Sequence, residues 1–241
     1  MKISVVVPCW NEEEALPLFY EAICQVMRSM KERYGVGFEL IFVDDGSKDG
    51  TLRLLRRFAA SDERVKYLSF SRNFGKEAAI LAGLTESTGN FAALMDADLQ
   101  DPPALLPEMY EAVATGGYDC AATRRATRAG EPKLRSFCAH AFYKIMRRVS
   151  DTDITDGARD YRLMNRKMTD AVLSLGETGR FSKGIFGWVG FRTKWIAYEN
   201  IERAAGATKW SFWKLLRYSV SGITAFSAAP LDLPFFLGAV L

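Results

Sequence analysis

The chain has 241 residues, enough for one large α/β domain, and its 49% hydrophobic and 25% charged content excludes a disordered protein. Its 32 Lys and Arg against 29 Asp and Glu leave a formal charge of +3, too small an excess for a general nucleic-acid binder. Cys9, Cys24, Cys120 and Cys138 lack paired metal-ligand spacing and read as reduced packing residues, and the acidic turn at Glu12 to Glu14 does not continue as a secretory signal.

Ile3 to Val7 is a short apolar run ending at Pro8, the pattern of a parallel strand covered on both faces. Leu16, Phe19, Ile23, Val26, Met27 and Met30 then recur at helical spacing. Phe38 to Val43 predicts the next strand, stopped by Asp44, Asp45, Gly46 and Ser47, and Leu52, Leu55 and Phe58 predict the next helix. Val65 to Phe70 gives a third strand, Lys76 to Glu86 an alanine-rich helix stopped by Gly89, and Phe91 to Met95 a fourth strand. This alternation predicts a Rossmann-like, mostly parallel sheet with helices on both faces and ligands at the carboxyl ends of the strands.

Beyond it, Tyr118 to Ala122 predicts a strand and Thr123 to Lys133 a basic loop carrying Arg124, Arg125 and Arg128. Leu134 to Val149 is a helix candidate. Leu163, Met164, Met168, Ala171, Val172 and Leu175 predict another, with Asp160, Tyr161 and Arg162 just outside its start. Trp188 to Tyr198 reads as extended. Lone His140 lies in a helical pattern and reads as structural. Phe226 to Leu241 holds one charged residue, Asp232, and reads as the first part of a membrane segment.

The residues able to carry chemistry gather at predicted strand ends. Asp96 and Asp98 flank small Ala97, so strand alternation would turn both carboxylates to one mouth, where Mg²⁺ or Mn²⁺ would reconcile their charges and bridge to diphosphate oxygens. The plainer alternative is a pair of solvated turn carboxylates. Gln100 is a further candidate metal ligand, while Asp101 before Pro102 and Pro103 reads equally as a helix N-cap. Asp44 and Asp45 offer acceptors to a base or ribose, or an Asx turn. Pro8, Trp10 and Glu12 form the first loop, and Gly75 with Lys76 would let backbone approach a phosphate. Arg124, Arg125 and Arg128 suit phosphate oxygens but read otherwise as a solvated charge run.

The stretches VVPCWNEEE, FVDDGSKDG, SRNFGKEAAILAGL and MDADLQDPP, in this order, resemble the inverting glycosyltransferase family that includes polyprenyl-phosphate and dolichyl-phosphate hexosyltransferases. ARDYRLMNRK, RFSKGIFGWVGF and ERAAGATKWS carry the resemblance through nearly the whole chain. It implies a glycosyltransferase A-type fold and divalent-metal dependence. Asp96, Asp98 and Gln100 would be the metal and diphosphate positions, and Pro8, Trp10, Glu12, Asp44 and Asp45 the nucleotide positions. Arg124 and Arg128 would meet the lipid phosphate, Arg203 and Lys209 would close over the donor phosphates, and Asp160 matches the catalytic carboxylate. Flanking changes in DGARDYR depart from the family pattern around that carboxylate, and Ser182 and Lys183 in RFSKG stand where the family frequently carries Met and Arg.

The division expected is a catalytic domain over residues 1–209 and an amphipathic juxtamembrane segment over 210–241, on the cytoplasmic face of a membrane. The implied donor is a UDP-sugar, UDP-glucose first, and the implied acceptor undecaprenyl or a related polyprenyl phosphate. A homo-oligomer is compatible. A GDP-mannose-dependent mannosyltransferase, a polysaccharide glycosyltransferase and a non-catalytic sugar-nucleotide-binding membrane scaffold stay open as alternatives.

Overall fold

The computed structural model describes residues 1–126, 157–177 and 179–199. The Leu134 to Val149 helix candidate, Cys138, His140, Arg128, Arg203, Lys209 and the 210–241 segment lie outside the described residues. Among the described residues, no helix is long and apolar enough to cross a membrane.

The first half is the expected strand and helix alternation: β1 (Lys2–Cys9), α1 (Leu16–Tyr34), β2 (Gly37–Asp44), α2 (Thr51–Ser61), β3 (Val65–Ser69), α3 (Lys76–Thr85) and β4 (Phe91–Leu94). In α1, Leu16, Phe19, Ile23, Met27 and Met30 are fully buried at helical spacing, Pro17 sits in the first turn, and Gly35 ends the helix in the left-handed conformation. Each such buried side chain contributes about 1.5–3 kcal/mol, so one apolar face suffices to fix α1 on the sheet.

A short 3₁₀ turn at Pro103–Leu105 leads into α4 (Leu106–Ala114) and then β5 (Cys120–Arg125). Next come β6 (Ala158–Asn165), α5 (Arg166–Ser174), α6 (Ser182–Trp188) and β7 (Thr193–Tyr198). The seven strands form one sheet in the order β3-β2-β1-β4-β6-β5-β7. All neighbours are parallel except β6, which runs antiparallel to both β4 and β5.

Alternation divides the core between the two faces. Ile3, Val5 and Val7 of β1, with Tyr161 and Leu163 of β6, pack on the side of α1, α2 and α4. Val6 and Met164 face the opposite side with Ile80 and Leu84 of α3, Met168 of α5 and Phe186 of α6.

Three sequence expectations are corrected. Asp160, Tyr161 and Arg162 do not precede a helix but lie inside β6, and Leu163 and Met164 belong to the same strand. The helix begins only at Arg166, where the Asn165 side chain accepts from the Met168 amide as an N-cap. Thr123, Arg124 and Arg125 are not loop residues but the end of β5. Ser182–Trp188 forms α6, whose two glycines mask its helical character in the sequence, and the extended segment starts only at Thr193.

Candidate active site

At the carboxyl ends of β1, β2, β3 and β4, a cleft of about 750 Å³ opens, a volume typical of small-molecule sites. Its wall under β1 and β2 consists of two loops sewn together. The Asn11 amide donates to Ser47 Oγ at 2.8 Å, the Lys48 amide to Asn11 Oδ1 at 2.8 Å, and the Glu12 amide to Thr51 Oγ1 at 2.8 Å. Asn11 takes φ 55°, a left-handed conformation that asparagine tolerates. Gly46 closes the same wall at φ +65°. A Cβ there would stand 2.4 Å from the Arg72 carbonyl carbon, so the loop after β3 approaches as backbone against backbone.

Asp44 and Asp45 are both buried at this edge. Asp44 accepts from the Ser47 amide at 3.1 Å, an Asx turn, and from Ser69 Oγ at 3.2 Å. Asp45 accepts from the Phe74 amide at 2.6 Å and the Gly75 amide at 2.9 Å, and so pins the chain entering α3. Burial raises the Asp45 carboxyl above its ordinary range, against these two amides, which favour its charged form. Gly75 has φ 102° and ψ 156°, a conformation open only to glycine, and the next residue is Lys76.

Lys76 joins two carboxylates that are far apart in the chain. Its Nζ lies 2.7 and 2.8 Å from the two oxygens of Asp96 and 2.5 Å from Asp160 Oδ2. The antiparallel register explains the meeting: Leu94, the last residue of β4, pairs with Arg162, so the turn that follows β4 comes beside the part of β6 that carries Asp160. Burial by itself would lower the Lys76 pKa, but Asp160 and Asp96 outweigh it and hold the ammonium well above the usual lysine range. Burial would likewise raise Asp160, but Lys76 and then Lys183 on α6 hold it well below the usual carboxylate range.

The Asp96–Asp98 pair is not oriented by strand alternation, because β4 ends at Leu94 and the triplet lies in the turn that follows. Leu99 takes φ 57° there, a strained conformation for a branched residue. Asp98 Oδ1 accepts the Gln100 amide at 3.1 Å. Both carboxylates line the cleft. Among the described residues, no group of three or more His, Cys, Asp or Glu is assembled to cage a metal by itself. Mg²⁺ and ions like it take one or two carboxylates and complete their shell with water and substrate phosphates, and this pair of oxygen donors beside a roomy cleft fits that requirement.

Two arginines in β6 hold this edge together: Arg159, not a candidate from the sequence, and Arg162, read there only as a cation outside a helix start. Alternation sends Arg159 to one face, where its Nε donates to Asp101 at 3.0 Å and its Nη2 to Gln100 Oε1 at 3.4 Å. Asp101 also accepts from the Tyr198 hydroxyl. Asp101 is therefore an anchor between β6 and β7 rather than the helix N-cap expected, and the 3₁₀ turn after it has no side-chain cap. On the other face Arg162 is buried, with its guanidinium 3.7 Å from the centre of the Phe186 ring on α6. It also donates to the Asp160 carbonyl at 3.2 Å, which fixes the backbone that carries that carboxylate. Period-2 alternation in RDYR is the signal for both arginines, legible only once the stretch is recognised as a strand.

Of the residues singled out in the sequence, Pro8, Trp10, Glu12, Asp44, Asp45, Lys76, Asp96 and Asp98 line one cleft. Asp160 joins them through Lys76. Gln100 turns its side-chain oxygen to Arg159. Arg124 is exposed on β5 and pairs with Ala158, two residues from Asp160, without lining the cleft.

The family model for glycosyl transferase family 2 matches residues 4–173, which covers the cleft loops, Lys76, the Asp96–Asp98 turn and Asp160. The chain belongs to that family. A prophage bactoprenol glucosyl transferase homolog of Escherichia coli (strain K12) is 40% identical over 241 residues, spanning 100% of this chain and 77% of its own. A bactoprenol glucosyl transferase of Shigella phage SfX is 40% identical over 238 residues, 99% of this chain and 76% of its own. Among solved structures, glucosyl-3-phosphoglycerate synthase from Mycobacterium tuberculosis, in complex with Mn²⁺ and UDP-glucose, superposes with a TM-score of 0.53 at 20% identity. That match covers 90% of this chain and 75% of the other, and it establishes for this family 2 glycosyltransferase the shared α/β fold.

Proposed function

We propose that this glycosyltransferase transfers a hexose, glucose from UDP-glucose, to undecaprenyl or a related polyprenyl phosphate with inversion, using Mg²⁺ or Mn²⁺. The observation that carries the reading is the acidic edge itself: Asp96 and Asp98 open on a nucleotide-sized cleft, and Lys76 links Asp96 to Asp160. The names of the two relatives at 40% identity supply the sugar and the lipid class. The Mn²⁺ and UDP-glucose bound by the structural neighbour are in keeping with the metal and the donor.

In this reading Pro8, Trp10, Glu12, Asp44 and Asp45 form the nucleoside side of the cleft, with Asp45 also holding the α3 entrance. Asp96 and Asp98 would hold the divalent ion, and Gln100, whose side-chain oxygen accepts from Arg159, would join them only by turning that oxygen to the cleft. When bound, the ion supplies neutralising charge to the departing diphosphate. The acceptor's phosphate oxygen attacks the anomeric carbon opposite the leaving group. A phosphate dianion needs little proton removal, and Asp160, held far below the usual carboxylate range by Lys76 and Lys183, is a weak base. Its role is then to orient the acceptor and to steady positive charge developing at the anomeric carbon.

Arg124 and Arg128 are assigned to the acceptor phosphate, and Arg203 and Lys209 to the donor phosphates, where they would stabilise the leaving diphosphate. The 210–241 segment is assigned to the membrane surface on the cytoplasmic face, on the strength of its apolar sequence. One experiment tests the whole reading. UDP- and GDP-sugars are screened against a short polyprenyl phosphate with Mg²⁺ or Mn²⁺, and the anomeric configuration of the product is determined. Exclusive use of a GDP-sugar, or transfer to a saccharide hydroxyl and not to the lipid phosphate, overturns it.

A further inference from the structure

We infer that Lys76 is an internal competitor for the divalent cation: its ammonium occupies the Asp96 carboxylate and yields it when a nucleoside diphosphate brings the cation in. The inference rests on the assignment of Asp96 as a metal position, and adds what controls access to it.

The geometry is that of a cation already chelated. Both oxygens of Asp96 lie within 2.8 Å of Lys76 Nζ, so an ion taking Asp96 as ligand must claim electron pairs that now face an ammonium. Two like-charged cations cannot share that carboxylate at contact distance without strong repulsion. The lysine must move or the ion must stay out.

Two further observations make Lys76 a built feature and not a stray surface lysine. The residue before it is fixed from below, since the Gly75 amide is held by Asp45 at 2.9 Å. The residue after it is fixed from the side: Glu77 accepts from both the amide and the hydroxyl of Ser182 at the start of α6. Between these two clamps the ammonium stands on a four-carbon stem with rotatable bonds, and its side chain is 29% exposed beside the cleft.

Asp160 gives the displaced ammonium somewhere to stay. It lies 2.5 Å from Nζ already, so release of Asp96 is a short swing about Asp160, and the oxygens of an incoming diphosphate replace the lost carboxylate. A cation arriving alone offers no such replacement. The expected behaviour is therefore weak binding of free Mn²⁺ and strong binding of Mn²⁺ together with the nucleotide.

The test is direct measurement of Mn²⁺ binding by electron paramagnetic resonance on the folded chain, with and without UDP. The parent is compared with Lys76→Met, which keeps the stem and removes the charge, Lys76→Arg, which keeps the charge, and Asp96→Asn. Cooperative unfolding in EDTA establishes that each variant is folded, and Lys76→Gln serves where Met does not fold. Without nucleotide, Lys76→Met is expected to bind Mn²⁺ about 10- to 100-fold more tightly than the parent, the scale of one charge-assisted bond released. Lys76→Arg should bind no more tightly than the parent. UDP should tighten Mn²⁺ binding far more in the parent than in Lys76→Met. Equal affinities of parent and Lys76→Met without UDP overturn the inference, as does tight binding by Lys76→Arg. So does a parent affinity that UDP leaves unchanged, a result that needs no variant. If Asp96→Asn alters Mn²⁺ binding in neither the parent nor the Lys76→Met background, the metal assignment itself fails.

Discussion

The two ends of the sheet both bury carboxylates, and they treat them in opposite ways. At the amino-terminal end, Glu39 of β2 accepts from Ser4 Oγ at 2.6 Å, from the Thr88 amide and hydroxyl at 2.9 Å each, from Lys2 at 2.8 Å and from Lys66 at 2.9 Å. Its side chain is 4% exposed, and every partner it accepts from belongs to the protein itself, although Lys2 and Lys66 reach it from the solvent side. At the carboxyl-terminal end, Asp96 and Asp160 share one ammonium, keep 24% and 17% of their side chains exposed, and Asp96 opens on the cleft. A carboxylate whose partners are all internal contributes stability. One that keeps part of its surface exposed beside a cavity is available to a ligand.

That contrast is broken most forcefully at the open end. Asp96→Asn is expected to leave cooperative unfolding intact and to lower turnover of UDP-sugar by about 10²- to 10³-fold, the scale seen when a charge-stabilising group is removed from an active site. Initial rates at fixed metal, with circular dichroism as the check on folding, decide it. A large fall in stability with modest loss of turnover would make Asp96 a second Glu39.

Glu39→Gln is the mirror experiment, expected to cost about 1.5–3 kcal/mol of stability while the folded protein keeps its turnover. Burial alone would raise the Glu39 pKa, but Lys2, Ser4, Lys66 and Thr88 hold it well below the usual carboxylate range. Because the folded value lies below the unfolded one, the unfolded chain takes up protons first as pH falls. The stability that Glu39 contributes is thus complete above an unfolded pKa of about 4.3 and drains away below it. Urea unfolding should show the parent and Glu39→Gln far apart at pH 7 and converging at pH 3.

The same contrast marks how much was legible in the sequence. β1 to β4 and their helices follow from apolar runs and 3.6-residue spacing, and the acidic residues of FVDDG and MDADLQ fall at the strand ends where ligands gather. The meeting of Asp96, Lys76 and Asp160 does not follow, because it depends on β6 entering the sheet antiparallel. Charged residues at 159, 160 and 162 hide β6: each face of that strand carries an arginine whose partners, Asp101 and Phe186, come from elsewhere in the chain. Pairing of this kind is set by tertiary contacts, and no local period records it. Glu39 escaped notice for the same reason, since Ser4, Lys66 and Thr88 gather around it only in the folded sheet.

A smaller effect is expected next to the cleft. Arg124 stands exposed on β5, two residues from Asp160 by strand register, and so belongs to the open end without lining its cavity. Arg124→Ala is expected to raise the half-saturating concentration of a short polyprenyl phosphate about tenfold, the equivalent of one charge-assisted hydrogen bond, with UDP-sugar binding unchanged. Titrating each substrate at a fixed level of the other separates the two. Equal acceptor constants for parent and variant would remove Arg124 from the acceptor site.

Asp45 gives the smallest and most informative effect, because it sits at the open end but is bonded like the closed one. It lines the cleft, yet its oxygens are taken by the Phe74 and Gly75 amides, and through Gly75 they set the direction in which Lys76 leaves the backbone. Asp45→Asn preserves shape and one acceptor oxygen while turning an amide group toward a backbone donor. The loss should be near 1 kcal/mol of stability, roughly the net worth of a single hydrogen bond. A loosened α3 entrance would also move Lys76 relative to Asp96, so the donor KM should rise a few-fold while kcat changes less. Both small changes must appear together if one carboxylate serves both the stability of the fold and the placement of Lys76. A fall in stability with an unaltered donor KM would place Asp45 with Glu39 as a purely structural group, and a raised KM at unaltered stability would place it with Asp96. Urea unfolding and a donor titration on the same preparation distinguish the three outcomes.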